Sequence, residues 1–302
     1  MRDISDKFAT LRIAVAESIV RAKPASVKAV KSKSLPKGDA MTVAKVAGVL
    51  AAKNVPQIIP YCHDIPIDFV DIGFEFCKDR IRITSMVKSI YKTGVEMEAL
   101  TSVAVAALTV YDMLKMVDEN IYIESIRLIE KSGGKGDFSE KFWKRINAAV
   151  IVLSDSVYKG RKRDESGSII AERLKAEKIN VKIYEIMPDD KEKIRGRLIE
   201  LCDKERIDLV ITTGGTGLSK RDNTPEATLD VIEREIPGIP EIIRSYGRQR
   251  NPYSILSRAV AGIRGNTIII NLPGSKRGVE ESLNIITPVI IHSFKMLYGE
   301  GH

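Results

Sequence analysis

The segment ITTGGTGLSKRDNTPEAT (residues 211–228) joins an apolar run to the start of a helix. The run, 207–211, has the composition of a buried strand, and Thr224-Pro225 is a favourable helix start. Between them lie glycines, hydroxyls, two cations and Asp222. Such a loop is suited to holding a phosphate. It is not a Walker P-loop, which needs Gly-Lys-Ser/Thr at a fixed spacing.

The sequence around this segment repeats the same order of strand, then helix. Predicted strands occupy residues 148–154, 181–187 and 208–213, and predicted helices follow them at 167–177, 190–204 and 224–235. Repeated strand–helix units imply a parallel sheet that is covered on both faces, so the second half is predicted to be a three-layer α/β domain. In such sheets, ligands bind beyond the carboxyl ends of the strands.

Candidate site residues of the second half lie in the loops that follow these strands. Ser154 and Asp155 follow the first strand, Asp189 the second, and residues 213–217 the third. Glycine N–H groups can approach a phosphate closely because no Cβ intervenes, although a tight turn that only needs positive φ would use the same residues. Asp189 and Asp222 predict a Mg²⁺ site, since this cation prefers oxygen ligands, and helix capping is the alternative for both.

The first half is predicted to have the order β-α-β-β-α-β. Its strands are predicted at 12–22, at 70–76, on a return strand through Ile81 and Ile83, and at 121–129, and its helices at 37–54 and 95–117. Asp39 is the predicted N-cap of the first helix, which has Val43, Val46, Ala47 and Leu50 on one face. The second helix is apolar nearly all round, which predicts burial. The order is typical of a ferredoxin-like α+β sandwich.

A polar and glycine-rich stretch separates the two halves. It predicts domains at residues 1–137 and 147–302 with a linker at 138–146. Hydrophobic residues make up 44% of the chain and charged residues 29%, which is the balance of a soluble globular protein. No unbroken apolar stretch has the length of a membrane span, and the charged N-terminus without an apolar signal core predicts a cytoplasmic location.

The net charge of +8 indicates a preference for anionic partners. Because no nucleic-acid motif is present and basic residues mix with acidic ones, small phosphates are favoured over nucleic acid. The three cysteines are scattered without a CxxC pair, which argues against a disulfide framework or a zinc site. They are also too few for an iron–sulfur cluster, which needs about four ligands.

Several polar residues of the first half have both a functional and a structural interpretation. Glu96 and Glu98 open an otherwise apolar helix, and Asp112 and Lys115 share one face near its other end. The structural interpretations are favourable charges at a helix N-terminus and a surface ion pair of little energetic value. Further candidates are Lys37, His63 and Lys131. The residue pattern alone leaves the chemistry of this half undecided.

The second half carries a set of motifs in a familiar order between residues 153 and 275. They are LSDSVYKGRKRDESG, MPDD, TTGGTGLSKRDNTPEAT, REIPGIPE, LSRAVAGIRG and NLPGS. This half resembles the molybdopterin adenylyltransferase family of the MogA/MoaB type. The resemblance implies transfer of AMP from ATP to the terminal phosphate of molybdopterin, with Asp189 and Asp222 as essential carboxylates that hold Mg²⁺. It also implies ligand contacts by Ser154, Asp155, Asp164, Thr213, Gly214, Gly215, Thr216, Gly217, Gly274 and Ser275.

The first half carries DISDKFATLRIA, KGDAMTVAKVAGVLAAK, IIPYCHDIP, KTGVEMEALTSVAVAALTVYDMLKMVD and IRLIEKSGGK. It resembles the cyclic pyranopterin monophosphate synthase family of the MoaC type. The resemblance implies conversion of 3′,8-cyclo-7,8-dihydro-GTP to cyclic pyranopterin monophosphate and pyrophosphate, without a cofactor, with Asp112 and Lys115 as the acid/base centre. It also implies substrate contacts by Arg12, Lys37, Tyr61, Cys62, His63, Glu96, Met97, Glu98 and Lys131.

Together, the two resemblances predict a bifunctional enzyme of molybdenum-cofactor synthesis. The alternative is an active synthase fused to a pterin-binding module without catalytic activity. A nucleic-acid binder that exploits the positive charge is a third hypothesis, and no nucleic-acid or membrane partner is expected. The families imply a homo-oligomer with three-fold symmetry, either a trimer or a hexamer.

Overall fold

The structure, a computed structural model, describes residues 1–134, 136–137 and 143–299. The chain divides into two compact units, Met1–Ser139 and Glu140–His302. Part of the predicted linker, residues 138–142, lies outside the described residues, so the predicted domain boundaries stay a prediction.

The first unit is built on an antiparallel sheet of four strands. In chain order its elements are β1 (Thr10–Arg21), α1 (Pro24–Lys31), α2 (Ala40–Lys53), α3 (Val55–Ile58), β2 (Phe69–Phe76), β3 (Arg80–Tyr91), α4 (Glu96–Leu114) and β4 (Tyr122–Ser132). The strands lie in the order β2-β3-β1-β4, and each neighbouring pair is antiparallel. The predicted order β-α-β-β-α-β is therefore present, with α1 and α3 as additional short helices.

Helix α2 begins where the sequence predicts, because Asp39 caps it. The Asp39 Oδ1 atom accepts the N–H groups of Met41 at 3.1 Å and of Thr42 at 3.2 Å. The predicted face is not the buried one, since Val43, Val46 and Leu50 are exposed and Ala47 is half-buried. The buried residues of α2 are instead small, namely Ala40, Ala44, Gly48, Ala51 and Ala52.

The small residues of α2 are buried because α2 and α4 pack closely. A Cβ atom on Gly48 would lie 2.5 Å from the Ile72 Cδ1 atom and 3.0 Å from the carbonyl oxygen of Ser102 in α4. Larger side chains cannot enter this contact, so Val46 and Leu50 are left 64% and 60% exposed on the outer side. We refer to Val43, Val46, Leu50 and Leu108 as the exposed apolar residues of α2 and α4.

The prediction that α4 is buried nearly all round is wrong. Its inner side is buried, with Val103 and Val110 fully enclosed, but Leu108 is 56% exposed and Met97 38% exposed. Among the described residues it is the one helix that is long and apolar enough to cross a membrane, with a mean hydropathy of 1.4. Because 56% of this stretch is buried inside the unit, the pattern is that of a core helix.

The second unit has a mostly parallel sheet of six strands. In chain order its elements are β5 (Asn147–Leu153), α5 (Asp155–Tyr158), α6 (Ser166–Ala176), β6 (Asn180–Met187), α7 (Lys191–Asp203), β7 (Leu209–Thr213), α8 (Thr224–Leu229), β8 (Arg234–Glu235), α9 (Gly238–Arg248), β9 (Ala261–Arg264), β10 (Thr267–Leu272) and α10 (Lys276–Leu297). The strand order is β6-β5-β7-β10-β9-β8. The first four strands of this order run parallel, and β9 and β8 form an antiparallel edge. The prediction of a parallel α/β sheet is confirmed for its central strands.

Helices cover the sheet of the second unit on both faces. One core contains Ile151 and Val210 from the sheet packed with Leu198 of α7 and Ala227 of α8. The alternate residues of the same strands are also buried, and α6 lies so close to them that a Cβ on Gly167 would meet the Val152 side chain at 2.4 Å. This three-layer arrangement places the ends of β5, β6, β7 and β10 at one edge, where the predicted site loops begin.

The predicted helix 224–235 is shorter in the structure. Helix α8 ends at Leu229, and residues Arg234 and Glu235 pair with β9 as the short edge strand β8. The periodicity of the sequence does not reveal this ending because the edge pairing is a tertiary contact with residues far along the chain.

Substitution of Gly48 tests the close contact of α2 with α4. We expect Gly48→Ala to lower the free energy of unfolding by roughly 1–3 kcal/mol, because the methyl group overpacks this contact. In the matched variant Gly196→Ala, a Cβ has nothing within 4 Å, so the better helix propensity of alanine should stabilise α7 by roughly 0.5–1 kcal/mol. Urea unfolding of both variants measures the two effects. Equal changes would contradict the packing argument.

Candidate active sites

The loops at the carboxyl ends of β5, β7 and β10 meet at Gly214. Its φ angle is +100°, and a Cβ at this position would lie 2.1 Å from the carbonyl oxygen of Leu153. The Gly214 N–H donates to the carbonyl oxygen of Leu272 at 3.2 Å, and a Cβ on Gly274 would lie 3.1 Å from the Gly214 Cα atom. Only glycine combines this backbone conformation with this approach, so the convergence depends on Gly214.

Asp189 and Asp222 both lie beside the loop that continues from Gly214. A Cβ on Gly215 would lie 2.8 Å from the Asp189 Oδ1 atom, and a Cβ on Gly217 would lie 2.9 Å from the Asp222 Oδ2 atom. Burial raises the pKa of Asp189, and the negative charge of Asp222 raises it further. The two predicted carboxylates therefore share one region of the molecule.

Helix capping does not account for either carboxylate. The N-cap of α7 is Asp190, whose side chain accepts the Lys193 N–H at 3.0 Å. The N-cap of α8 is Asn223, which makes no side-chain capping bond, while Asp222 accepts the Ser219 N–H at 2.8 Å within the loop. Because the adjacent residues Asp190 and Asn223 occupy the N-cap positions, the interpretation of Asp189 and Asp222 as helix caps is excluded.

The donor set at this site fits a hard cation. The Asp189 Oδ1 atom is buried and has no hydrogen-bond partner within the described parts of the chain. Such a carboxylate oxygen is costly unless a cation or a donor satisfies it. No group of three or more His, Cys, Asp or Glu side chains that could hold a metal occurs among the described residues. A cation here would therefore take its remaining ligands from a bound phosphate or from water.

Arg258 holds the loop between β7 and α8 in place, and the sequence patterns do not predict this role. Its backbone N–H donates to the Thr216 carbonyl at 3.0 Å, and its Nε donates to the Gly217 carbonyl at 2.6 Å. Its two Nη atoms bind the Asp222 carbonyl and the carboxylate of Glu226. The guanidinium group thus fixes the backbone on both sides of the segment that carries Asp222.

The other predicted residues of this half also gather at the strand ends. Asp155 forms an ion pair with Arg221, which belongs to the loop after β7. Thr213 donates from its hydroxyl to the Pro273 carbonyl at 2.7 Å, and Asp164 accepts the Gly167 N–H at 2.9 Å. Ser154 caps α5 and Ser275 caps α10 with their hydroxyl oxygens.

A cavity of about 400 Å³ opens beside this loop. Thr216, Gly217 and Ser275, three of the predicted ligand-contacting residues, line it. The rest of the lining includes residues that the sequence did not single out, namely Ile243, Asn251, Tyr253, Ser257 and Arg277. They could not be found from spacing because α9, the turn after it and α10 come together only in the folded unit.

In the first unit, Asp112 is held between two lysines. Its carboxylate lies 2.7 Å from the Lys115 Nζ atom and 2.8 Å from the Lys37 Nζ atom. The hydrogen bond from Lys115, followed by the one from Lys37, lowers the pKa of Asp112 to about 2, and Asp112 raises the pKa of Lys115. The predicted acid/base pair therefore exists as an ionised cluster that also contains Lys37.

A second cluster surrounds the start of α4. A cleft of about 330 Å³ is lined by the predicted residues Arg12, Glu96 and Lys131, and by Gly134 and Asp137, which are not among the predicted residues. Lys131 lies 3.6 Å from Glu96. Arg12 is 9% exposed and donates from its Nε atom to the Tyr91 carbonyl.

Glu98 is buried next to this cleft end of α4. Burial raises its pKa to about 7, partly offset by a backbone hydrogen bond, and the charge of Glu96 raises it further. Its Oε2 atom has no hydrogen-bond partner among the described residues. Burial also raises the pKa of the Cys62 thiol, and so does the charge of Glu98. Glu98 can therefore gain or lose a proton near neutral pH.

The two clusters of the first unit lie at opposite ends of α4. Glu96 and Asp112 are 16 positions apart on one helix, which corresponds to about 24 Å along its axis. The hydrogen bond of His63 connects it to neither cluster, because its Nε2 atom bonds to the Arg2 carbonyl oxygen at 2.9 Å. Tyr61 and Met97 are exposed. One copy of the chain therefore does not gather the predicted residues of this half around one small molecule.

Comparison with known proteins matches both units. Residues 1–134 match the MoaC family, and residues 149–292 match the family described as a probable molybdopterin binding domain. Over 302 residues the chain is 38% identical to a molybdenum cofactor biosynthesis bifunctional protein of Chlorobaculum tepidum, covering 100% of this chain and 96% of that protein. The chain belongs to this bifunctional family of molybdenum cofactor biosynthesis.

Further relatives extend the comparison. A protein of the same description from Synechococcus elongatus is 35% identical over 319 aligned positions and covers 100% of this chain and 98% of its own length. The cyclic pyranopterin monophosphate synthase of Corynebacterium efficiens is 49% identical over 140 residues, which is 46% of this chain and 90% of that protein. Among solved structures, MoaB of Thermus thermophilus is 40% identical and covers 51% of this chain and 97% of its own, with a TM-score of 0.49.

Substitution of Arg258 tests its hold on the carboxylate loop. In Arg258→Ala we expect faster hydrogen exchange of the Ser219 and Thr224 amides, because the carbonyl contacts that fix this loop are lost. Arg258→Lys should restore only part of the protection, since a lysine lacks the planar fork of donors. Arg264→Ala is the matched control, because Arg264 pairs with Asp203 away from the loop. Unchanged exchange in Arg258→Ala would contradict the proposed hold.

The raised pKa of Glu98 predicts a pH-dependent cost in stability. Because the pKa in the folded protein is about 7, above the value of 4.5 for a free glutamate, folding favours the protonated form. The contribution of Glu98 to the free energy of unfolding is therefore fully retained below pH 4.5 and is lost as the pH rises through 7. Relative to Glu98→Gln, the wild type should lose of order 3 kcal/mol across this window in urea unfolding. A difference that does not change with pH would contradict burial as the cause.

Proposed function

We propose that the second unit transfers AMP from ATP to the terminal phosphate of molybdopterin at the Asp189 and Asp222 site. A phosphate oxygen of the pterin attacks the α-phosphorus of ATP, the bond from this phosphorus to the bridging oxygen breaks, and pyrophosphate leaves. The observation that carries the proposal is the pair of carboxylates on either side of a glycine loop, one of them with a buried oxygen that lacks a partner.

Different residues of the site would bind the phosphates and offset their charge when ATP and the terminal phosphate of molybdopterin meet. The N–H groups of Gly215 and Gly217 are available to phosphate oxygens, while Asp189 and Asp222 would hold Mg²⁺ that enters with ATP. When bound, Mg²⁺ offsets the negative charge of the phosphates. Arg258 keeps the Asp222 segment in place during this process. Because a misplacement of even 1 Å is costly in rate, such a hold is part of the catalytic arrangement.

A pterin-binding module without catalytic activity is the second candidate for this unit. The description of the matching family, a probable molybdopterin binding domain, favours binding, and the cavity beside Gly217 offers room for a ligand. The buried and unpartnered Asp189 oxygen favours the transferase, because simple binding of an anionic ligand gains nothing from two carboxylates.

For the first unit we propose the conversion of 3′,8-cyclo-7,8-dihydro-GTP to cyclic pyranopterin monophosphate and pyrophosphate. Asp112 and Lys115 are the acid/base pair, with Lys37 bound to the same carboxylate. Arg12 and Lys131 offer cations to the phosphates. Glu98, with a pKa of about 7, can exchange a proton near neutral pH without a cofactor. The antiparallel order of the four strands agrees with a ferredoxin-like α+β class.

We also propose that the active form is a homo-oligomer. The two clusters of the first unit lie about 24 Å apart on α4, so one substrate can touch both only if they come from two copies of the chain. The exposed apolar residues of α2 and α4 offer a surface for such contact. We propose that this oligomer is a trimer or a hexamer and that its ligands are ATP and pterin phosphates. We further propose a cytoplasmic location, with no nucleic-acid or membrane partner.

Release of pyrophosphate tests the proposed transferase. With ATP, Mg²⁺ and molybdopterin, the wild type should form adenylylated pterin and pyrophosphate, and Asp189→Asn should lower the rate roughly 100-fold or more, because the phosphate charges are no longer offset. Asp190→Asn is the matched control, since asparagine caps α7 as well as aspartate does. Tight pterin binding by the wild type without pyrophosphate release would instead support the binding module.

Mixing inactive variants tests whether two copies build the synthase site. Lys115→Ala and Lys131→Ala each disable one cluster and should each be inactive alone. When the two variants are refolded together in equal amounts, about one quarter of the sites should combine two intact clusters across an interface between copies and recover activity. Lys115→Ala mixed with Lys37→Ala should stay inactive, because both changes affect the same cluster. No recovery in the first mixture would contradict a shared site.

A further inference from the structure

A run of exposed cations follows α5 at the ligand edge of the second unit. We call residues 159–163 the basic loop; its cations are Lys159, Arg161, Lys162 and Arg163. All four side chains are exposed, and none has an ion pair or hydrogen bond within the described part of the chain. The backbone is ordered by local bonds, since the N–H groups of Arg161 and Lys162 donate to the Ser156 carbonyl.

Contacts at both ends of the basic loop tie it to the proposed transferase site. On the entry side, Asp155 pairs with Arg221, which belongs to the loop after β7. On the exit side, the Ser166 hydroxyl donates to the Gly274 carbonyl at 2.8 Å, in the loop after β10. The basic loop is therefore held between the two loops that meet at Gly214.

Neighbouring carboxylates do not neutralise the basic loop. Asp155 is occupied by Arg221, and the Asp164 oxygens accept from the Gly167 N–H and the Tyr184 hydroxyl. Glu165 alone remains nearby without a partner in the described chain. The basic loop thus keeps a surplus of positive charge, and the residues that flank it contact the loops that meet at Gly214.

The site itself has a shortage of positive charge. Asp189 and Asp222 are acidic, Arg221 is paired with Asp155, and Arg258 is paired with Glu226. Arg277, in the cavity lining, is paired with Glu281, which leaves Lys220 as the exposed cation of the glycine loop without an ion pair in the described chain. A nucleoside triphosphate brings several negative charges, of which the attacked α-phosphate carries only a part. The β- and γ-phosphates leave as pyrophosphate and need more positive charge than Lys220 alone provides.

We propose that the basic loop is a polyphosphate subsite that holds the β- and γ-phosphates of ATP and the pyrophosphate that leaves. The inference rests on the proposed adenylyl transfer and goes beyond it by assigning the leaving group to Lys159, Arg161, Lys162 and Arg163. The subsite recognises the polyphosphate group, and the adenosine contacts the enzyme elsewhere.

Binding of ATP and AMP to the full chain tests the subsite. In Lys159→Ala/Lys162→Ala, isothermal titration with Mg²⁺ at fixed salt should show ATP affinity reduced roughly 5- to 30-fold and AMP affinity unchanged within about twofold. Lys175→Ala/Lys182→Ala is the matched control, because it removes the same two charges from exposed positions away from the strand ends. This control should bind both nucleotides like the wild type.

Three outcomes would overturn the inference. They are an ATP affinity that falls no further than in the control, equal loss for ATP and AMP, and loop-dependent binding of duplex DNA with unchanged ATP affinity. Failure of the proposed transferase is distinguishable, because the wild type would then release no pyrophosphate. In that case inorganic tripolyphosphate is the probe: weaker binding by the loop variant than by the control supports the subsite, and equal binding contradicts it.

Discussion

The close approach of Gly214 to the carbonyl oxygen of Leu153 is the constraint on which the second unit's site depends. It brings the loops after β5, β7 and β10 within contact distance of one another. Any side chain at position 214 would have to displace the backbone of β5, and the φ angle of +100° disfavours one as well. The carboxylates then lie on either side of the same loop, and Arg258 fixes the far end of that loop. The arrangement exposes backbone N–H groups where phosphates can reach them while two acidic side chains stay close enough to share a cation.

A different constraint governs the first unit. Helix α4 is a rigid element that carries Glu96 and Glu98 at one end and Asp112 at the other, so its length separates the two sets of predicted residues. The close packing of α2 on α4 through Gly48 leaves the larger apolar residues of both helices on the outside. The separation of the clusters and the exposure of this surface have a common explanation if copies of the chain associate, because association would bury the surface and bring clusters of different copies together.

Local patterns predicted the fold well where one element is specified by its own residues. The strand–helix repeats of the second half, the Asp39 cap and the order β-α-β-β-α-β of the first half follow from periodicity and capping chemistry. The buried face of α2 could not be predicted in the same way. Its alanines and Gly48 carry a weak hydrophobic signal, and only the proximity of α4 makes them the buried side. The early end of α8 has a similar cause, since β8 forms through pairing with β9 far along the chain.

The sites show the same division between local and tertiary information. Motifs identified Asp189, Asp222, Asp112 and Lys115, but spacing could not decide between a cap and a ligand. The structure excludes the role of helix cap for Asp189, because the adjacent Asp190 caps α7. Arg258 and the cavity wall around Tyr253 were missed, since their roles arise from carbonyl contacts and packing between distant segments. Likewise, the resemblance assigns Asp112 and Glu96 to one reaction, whereas the length of α4 separates them by about 24 Å within one chain.

The most direct test of the account is a crystal structure of the protein with Mg²⁺ and a non-hydrolysable ATP analogue. We expect α-phosphate oxygens within hydrogen-bond distance of the Gly215 or Gly217 amide, and a metal ion bound by Asp189 and Asp222. A nucleotide bound away from this loop, with both carboxylates free of metal at saturating Mg²⁺, would contradict it.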